Sequence, residues 1–243
     1  MKKLYLVGFG AGSREGMTIQ AEQAVLNSDL LIGYTVYIDI LKAYFPGKPV
    51  MQTGMRQEQE RVKTALYQAN QNQTVSLICS GDSQVYGMAG LALELSVDYP
   101  EVEIEIIPGV TAALSGGAVL GSPLTHDFAV ISLSDLLTPR EKIIKRLELA
   151  AQADFVIVLY NPSSKHRPDY LQKACDRILK YQSPETVCGF VRNIGRDGQE
   201  SRILTLRELR DTPADMFTTV YIGNSETKII NGKMITPRGY HHA

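Results

Sequence analysis

Five short segments of this chain carry residue types that could meet a ligand or move a proton. Gly8-Phe9-Gly10-Ala11-Gly12, with Gly16 beyond, follows an apolar run and precedes a helical pattern. Bare backbone at a helix start suits a pyrophosphate, because free N–H groups and the helix dipole favour an anion. The spacing Gly10-x-Gly12-x-x-x-Gly16 is only a variant of the dinucleotide fingerprint. The next apolar run ends in Gly33-Tyr34, where a ribose-binding acid is wanted. A tight turn is the competing reading. The second segment, Ser80-Gly81-Asp82-Ser83-Gln84-Val85-Tyr86-Gly87, also lies between a strand and a helix, where a sharp exit leaves peptide groups open. Asp82 there could equally be a cap. In the third, Pro108-Gly109 ends a strand and Thr111-Ala112 opens a helix of small residues, which would let a flat ligand lie close to backbone. The fourth is Leu159-Tyr160-Asn161-Pro162. The fifth pairs His126-Asp127 with Ser132-Leu133-Ser134-Asp135, where His126 and Asp135 are candidate proton acceptors. No serine triad, metal-spaced histidine pair or Walker loop is legible.

These segments need rigid elements behind them. The first half alternates strand and helix signals: strands near 4–9, 30–33, 75–79 and 104–107, and helices near 18–27, 57–70, 87–99 and 111–120. Such alternation predicts a mostly parallel sheet with working loops after its strands. Gly121-Ser122-Pro123 breaks the pattern, so two α/β domains are expected, 1–120 and 121–243. In the second half, strands near 128–133, 155–160, 187–191, 202–205 and 219–223 surround helices near 138–151 and 169–181. Thr138-Pro139-Arg140-Glu141 reads as a capped helix start. An Asn231-Gly232 hairpin closes the chain, so this sheet is expected to be mixed.

The bulk numbers exclude several classes. The chain has 243 residues and a net charge of -1, which gives no footprint for nucleic acid or an anionic membrane. Three cysteines without zinc or redox spacing argue against a disulfide framework and for a reducing cytoplasm. The first apolar run ends at Gly8, too soon for a signal peptide or a membrane span.

Together and in order, Val7-Gly8-Phe9-Gly10-Ala11-Gly12, Ser80-Gly81-Asp82-x-x-x-Tyr86-Gly87, Pro108-Gly109-Val110-Thr111-Ala112 and Tyr160-Asn161-Pro162 resemble the tetrapyrrole, or class III, S-adenosylmethionine-dependent methyltransferases. Gly54-Met55, His126-Asp127-Phe128, Ser132-Leu133-Ser134-Asp135 and Met234-Ile235-Thr236-Pro237-Arg238-Gly239-Tyr240 narrow the likeness. They resemble the branch that methylates C-17 of precorrin-3B, or of its cobalt-containing counterpart cobalt-factor III, with ring contraction in cobalamin synthesis. The resemblance implies a homodimer of two-domain chains with the cofactor in the inter-domain cleft. It implies that Gly81, Asp82, Val85, Tyr86, Thr111, Ala112, Tyr160, Asn161, Arg192 and Asn193 hold S-adenosylmethionine. Gly10 and Gly12 would then face the tetrapyrrole. Its carboxylates call for cations, for which Arg14, Arg56, Lys165 and Arg167 are the loop-borne candidates. Ala11 departs from the family's usual proline. Cobalt would arrive only within the substrate, and no protein metal site is expected. The alternatives are a class III enzyme acting on RNA or protein, and a nicotinamide-dependent oxidoreductase using the first glycine loop.

Overall fold

The computed structural model describes residues 2–164 and 166–240. Lys165, His241 and His242 lie outside the described residues. The chain divides into two compact units, Met1–Thr111 and Ala112–Ala243.

The first unit is a five-stranded sheet in the order β3-β2-β4-β1-β5. The strands are β1 (Lys3–Gly8), β2 (Leu30–Tyr34), β3 (Val50–Thr53), β4 (Thr74–Cys79) and β5 (Glu103–Ile107). All four pairings are parallel, as the strand–helix alternation predicts. Side chains alternate between sheet faces. Leu4, Leu6, Ile32 and Leu77 therefore meet Val62, Ala65 and Leu66 of α3 (Glu58–Asn70) and Ala89 and Ala92 of α4 (Ala89–Leu95). Val7, Phe9, Leu31 and Ile78 meet Ala21 and Val25 of α1 (Ile19–Asn27) and Ile38 and Leu41 of α2 (Thr35–Tyr44). Burial on both faces is why these strands read as continuous apolar runs.

The stretch 34–56, which the sequence reading leaves unassigned, holds α2 and β3. Its Thr, Val, Tyr and Ile residues favour strand locally, and burial of Ile38 and Leu41 overrides that preference. The helix read over 87–99 is shorter: α4 ends at Leu95, and a 3₁₀ turn, Ser96–Asp98, follows.

The second unit holds a mixed sheet in the order β10-β9-β11-β8-β7. Its strands are β7 (Phe128–Ser132), β8 (Val156–Tyr160), β9 (Val187–Arg192), β10 (Glu200–Thr205) and β11 (Thr218–Ile222). Only β7 and β8 pair in parallel; the other pairings are antiparallel. One face is covered by α6 (Arg140–Gln152), α7 (Tyr170–Ile178) and α8 (Leu206–Arg210) through Ile143, Leu147, Cys175, Ile178 and Leu209. On the other face lies α5 (Ala112–Leu120), which contacts β9, β10 and β11. A Cβ on Gly116 would stand 2.4 Å from the Tyr221 hydroxyl, and one on Gly189 2.8 Å from Leu120 Cδ1. Such close packing explains why the units divide before α5, whereas the sequence break at Gly121 lies after it.

The start of α6 differs from expectation. Pro139 is its N-cap residue and no side chain caps it. A capping box forms instead at α8, between Thr205 and Glu208. A small sheet joins β6 (Gly121–Ser122) to a hairpin of β12 (Lys228–Ile230) and β13 (Lys233–Ile235). Its tip, Asn231 at φ 50° and Gly232 at φ 72°, has the turn geometry read from Asn-Gly. No helix among the described residues is long and apolar enough to cross a membrane.

Candidate functional site

In the first unit, β4, β1 and β5 are neighbours and parallel, so their C-terminal loops emerge side by side. These three loops carry the Gly8–Gly12, Ser80–Gly87 and Pro108–Thr111 motifs. They are bonded into one piece. Gly10 N–H donates to the Gly81 carbonyl at 3.1 Å, and Gly81 N–H donates back to Gly10 at 2.8 Å. Asp82, buried, accepts at Oδ1 from the N–H groups of Gln84 (2.8 Å) and Val85 (3.3 Å), and at Oδ2 from Gly109 N–H (2.9 Å). A Cβ on Gly109 would stand 2.2 Å from the Gly81 oxygen and 2.3 Å from that of Gly8, so the approach needs glycine.

Asp82 thus does what a capping aspartate does, though within the loop, since α4 starts only at Ala89. Both its oxygens serve backbone, which leaves contact with a ligand to the loop around it. Gln84, Tyr86 and Gly87 are exposed there, and Tyr86 stands at φ 56°. Gly10 and Gly12 are themselves buried, and Gly12 accepts from the Tyr44 hydroxyl at 3.0 Å. The exposed part of that loop is Arg14 and Glu15. Arg14 pairs with Glu22, its Nε 2.9 Å from Oε1, and lies 5.4 Å from the Phe45 ring centroid. Arg56 is exposed at φ 64° with no ion-pair partner among the described residues.

The second unit brings together another group. Tyr160, at the end of β8, accepts at its hydroxyl from Ala113 N–H at 2.7 Å and so caps the start of α5. Tyr221, fully buried, donates to the carbonyls of Ala112 (2.7 Å) and Ala113 (3.0 Å). Burial and then neighbouring Tyr160 hold the Tyr221 phenol well above its ordinary range. Asn161, exposed at φ 52°, donates to the Ser132 hydroxyl at 3.0 Å. Asn193, at φ 51°, follows β9, and Arg192 pairs with Asp215 at 2.8 Å. Thr111 closes the first unit and Ala112 opens α5.

Two sequence candidates turn out to be partners. Arg167 Nη1 lies 3.2 Å from Asp135 Oδ1 and 3.0 Å from the Ser134 hydroxyl. Tyr170 donates its hydroxyl to Asp135 Oδ2. The Tyr170 hydrogen bond, with the Arg167 charge, holds the Asp135 carboxyl below its ordinary range. A carboxylate held low accepts a proton poorly. His126 stands apart from this group, before the first residue of β7, whereas Asp135 follows the last. Its Nδ1 accepts from Asp127 N–H at 2.8 Å.

Sequence reasoning missed Tyr170, Tyr221 and Arg61. Arg61 is a buried guanidinium that donates to Thr53 Oγ1 (2.5 Å), the Gly54 carbonyl (2.6 Å) and Met88 Sδ (3.5 Å). It ties the loop after β3 to the start of α4, and burial lowers its pKa. Its signal was readable: Arg61, Ala65 and Ala69 recur at four-residue intervals on the apolar face of α3. Tyr170 and Tyr221 carried no such signal, because their partners are far away in sequence.

The family model described as tetrapyrrole (corrin/porphyrin) methylases matches residues 3–210. A cobalamin biosynthesis protein CbiHC of Archaeoglobus fulgidus is 45% identical over 239 residues, covering 98% of this chain and 53% of that protein. A probable cobalt-factor III C(17)-methyltransferase of Salmonella typhimurium is 44% identical over 238 residues, covering 98% of this chain and 99% of that one. The chain thus spans about half the length of some curated relatives it matches and nearly all of others. The crystal structure of the methyltransferase CobJ superposes with a TM-score of 0.88 at 33% identity, covering 96% of this chain and 99% of that one. The matched segment takes in the glycine, Gly-Asp, Pro-Gly and Tyr-Asn motifs alike, and the chain belongs to the tetrapyrrole (corrin/porphyrin) methylases.

Proposed function

We propose that the chain transfers a methyl group from S-adenosylmethionine to C-17 of a corrin precursor, cobalt-factor III or precorrin-3B, with ring contraction, in cobalamin biosynthesis. The observation that carries this reading is near-full-length likeness to a relative named for that reaction. Cobalt belongs to the substrate, not to the protein.

S-adenosylmethionine presents a carboxylate, an ammonium, ribose hydroxyls and a purine edge, so its site must offer donors and acceptors close to a flat group. The residues fit. Gly81, Tyr86, Asn161 and Asn193 have positive φ, which turns peptide groups out of the regular ladders. The Ser83 hydroxyl is buried and has no hydrogen-bond partner among the described residues. We assign cofactor contacts to Gly81, Val85, Tyr86 and Thr111 in the first unit, where Asp82 holds the loop in shape, and to Ala112, Tyr160, Asn161, Arg192 and Asn193 in the second. When bound, the cofactor supplies an electrophilic methyl on a sulfonium whose charge is lost on transfer, so no strong anionic grip is required. Asp82 and Tyr160 act by holding backbone still, and much of the rate comes from alignment.

Substrate carboxylates are assigned to Arg14, Arg56, Lys165 and Arg167, and the loop of Gly10 and Gly12 to the tetrapyrrole. Asp135 serves here to fix Arg167. The test is incubation with S-adenosylmethionine and either tetrapyrrole, with mass spectrometry for a methylated, ring-contracted product. Cofactor binding without product from either substrate sinks the substrate assignment; no cofactor binding in equilibrium dialysis sinks the reading of a methyltransferase.

A further inference from the structure

Four side chains after β7 and β8 form one charged cluster in the second unit. Tyr170 stands at its centre. Its hydroxyl donates to Asp135 Oδ2, and its ring centroid lies 5.6 Å from the Arg167 guanidinium carbon and 5.4 Å from that of Arg140. Arg167 in turn pairs with Asp135 at 3.2 Å and donates to Ser134 at 3.0 Å. The nearby Asp169 pairs with Lys173. Asp169 also faces Arg140, so three cations, Arg140, Arg167 and Lys173, share two carboxylates, Asp135 and Asp169. One positive charge is left over, and both guanidiniums rest on an aromatic face that lowers the entropy cost of holding them. Leu133, ahead of Ser134, is buried, and its N–H donates to the Tyr160 carbonyl at 2.9 Å, so the cluster is anchored to the same strand end as Asn161.

We propose that Tyr170 is a positioning residue that fixes Asp135, and through it Arg167, so that Arg167 with Arg140 receives a carboxylate of the tetrapyrrole substrate. This rests on the functional reading above only for the identity of the substrate. An arginine held in advance in its binding geometry forms a charge-assisted bond with less entropy lost.

The test compares Tyr170→Phe, which keeps the ring and removes the hydroxyl, with Tyr170→Ala and Arg140→Ala. With cobalt-factor III as substrate, Tyr170→Phe is expected to raise KM about tenfold, in line with loss of one charge-assisted bond, and to leave kcat within about twofold. Affinity for S-adenosylmethionine should stay unchanged, and thermal stability should fall only by the loss of the hydrogen bond to Asp135. Tyr170→Ala should exceed Tyr170→Phe, because both guanidiniums lose their support. Equilibrium binding of uroporphyrin III, an octacarboxylate tetrapyrrole, and of its octamethyl ester keeps the test independent of turnover. The acid should bind the variant about tenfold more weakly than wild type, and the ester should bind both alike. Equal binding of the acid by wild type and Tyr170→Phe, or an equal loss for the ester, overturns the proposal. If the acid discriminates and neither cobalt-factor III nor precorrin-3B is turned over, the substrate assignment fails while Tyr170 keeps its role.

Discussion

Asp135 shows how a residue acquires its chemistry from partners. Its carboxyl is held low first by the Tyr170 hydroxyl and then by Arg167. A folded value below the unfolded one means that Asp135 stabilises the fold above the ordinary aspartate value of about 3.9. That contribution is lost as pH falls through the folded value. Asp135→Asn should therefore be less stable than wild type at neutral pH, and the gap should close in acid. Denaturation curves at about pH 7 and pH 3 check this, and a gap that stays constant refutes it. Tyr160 gives a second prediction at this scale. Tyr160→Phe removes the acceptor of Ala113 N–H and should cost about 1–3 kcal/mol in chemical denaturation, with weakened cofactor affinity. Neither partnership is visible along the chain: Tyr160 and Ala113 are 47 residues apart, Tyr170 and Asp135 35. Arg61 differs, because its four-residue spacing with Ala65 and Ala69 exposes it as a cation on an apolar stripe.

At the scale of elements, the three glycine-bearing loops of the first unit work because β4, β1 and β5 are adjacent. Gly109→Ala should force the loops apart, since its Cβ would meet two carbonyl oxygens within 2.3 Å. The expected result is loss of S-adenosylmethionine binding together with a drop of about 1–3 kcal/mol in stability. Gly90 in α4 is the control: nothing lies within 4 Å of its added Cβ. Gly90→Ala should stabilise by about 0.5–1 kcal/mol and leave binding intact. Element types were largely legible, because strands buried on both faces and helices with apolar stripes leave distinct periods. The α2 helix was not, because its β-branched and aromatic residues argue locally for strand.

For the whole molecule, two compact units share one chain of net charge -1. A ligand that binds only the folded form raises stability by mass action. At a hundredfold excess over Kd, S-adenosylhomocysteine should add about 2.7 kcal/mol. The two units need not unfold together, so both transitions are to be followed by calorimetry. At least one midpoint must rise; two unmoved midpoints at saturating ligand contradict the assigned cofactor. The glycine loop of residues 8–12 also makes a contrast here. A nicotinamide dinucleotide should move neither midpoint, since Gly10 is buried and bonded to Gly81, and Gly12 is buried under the Tyr44 hydroxyl.

The amino-acid sequence by itself determined most of the order of strands and helices, α2, β3 and α8 excepted, the parallel character of the first sheet and the mixed character of the second. It also determined which loops carry the motifs. Those properties depend on apolar period, glycine and proline, all of which act within a few residues. Tertiary structure decided that α5 joins the second unit and that Asp82 uses both oxygens on backbone. It also decided that Asp135 pairs with Arg167 while His126 stands apart. Those outcomes turn on strand order and on contacts between residues distant in the chain. Local pattern does not encode them, because a side chain's partner is chosen only when the sheet closes.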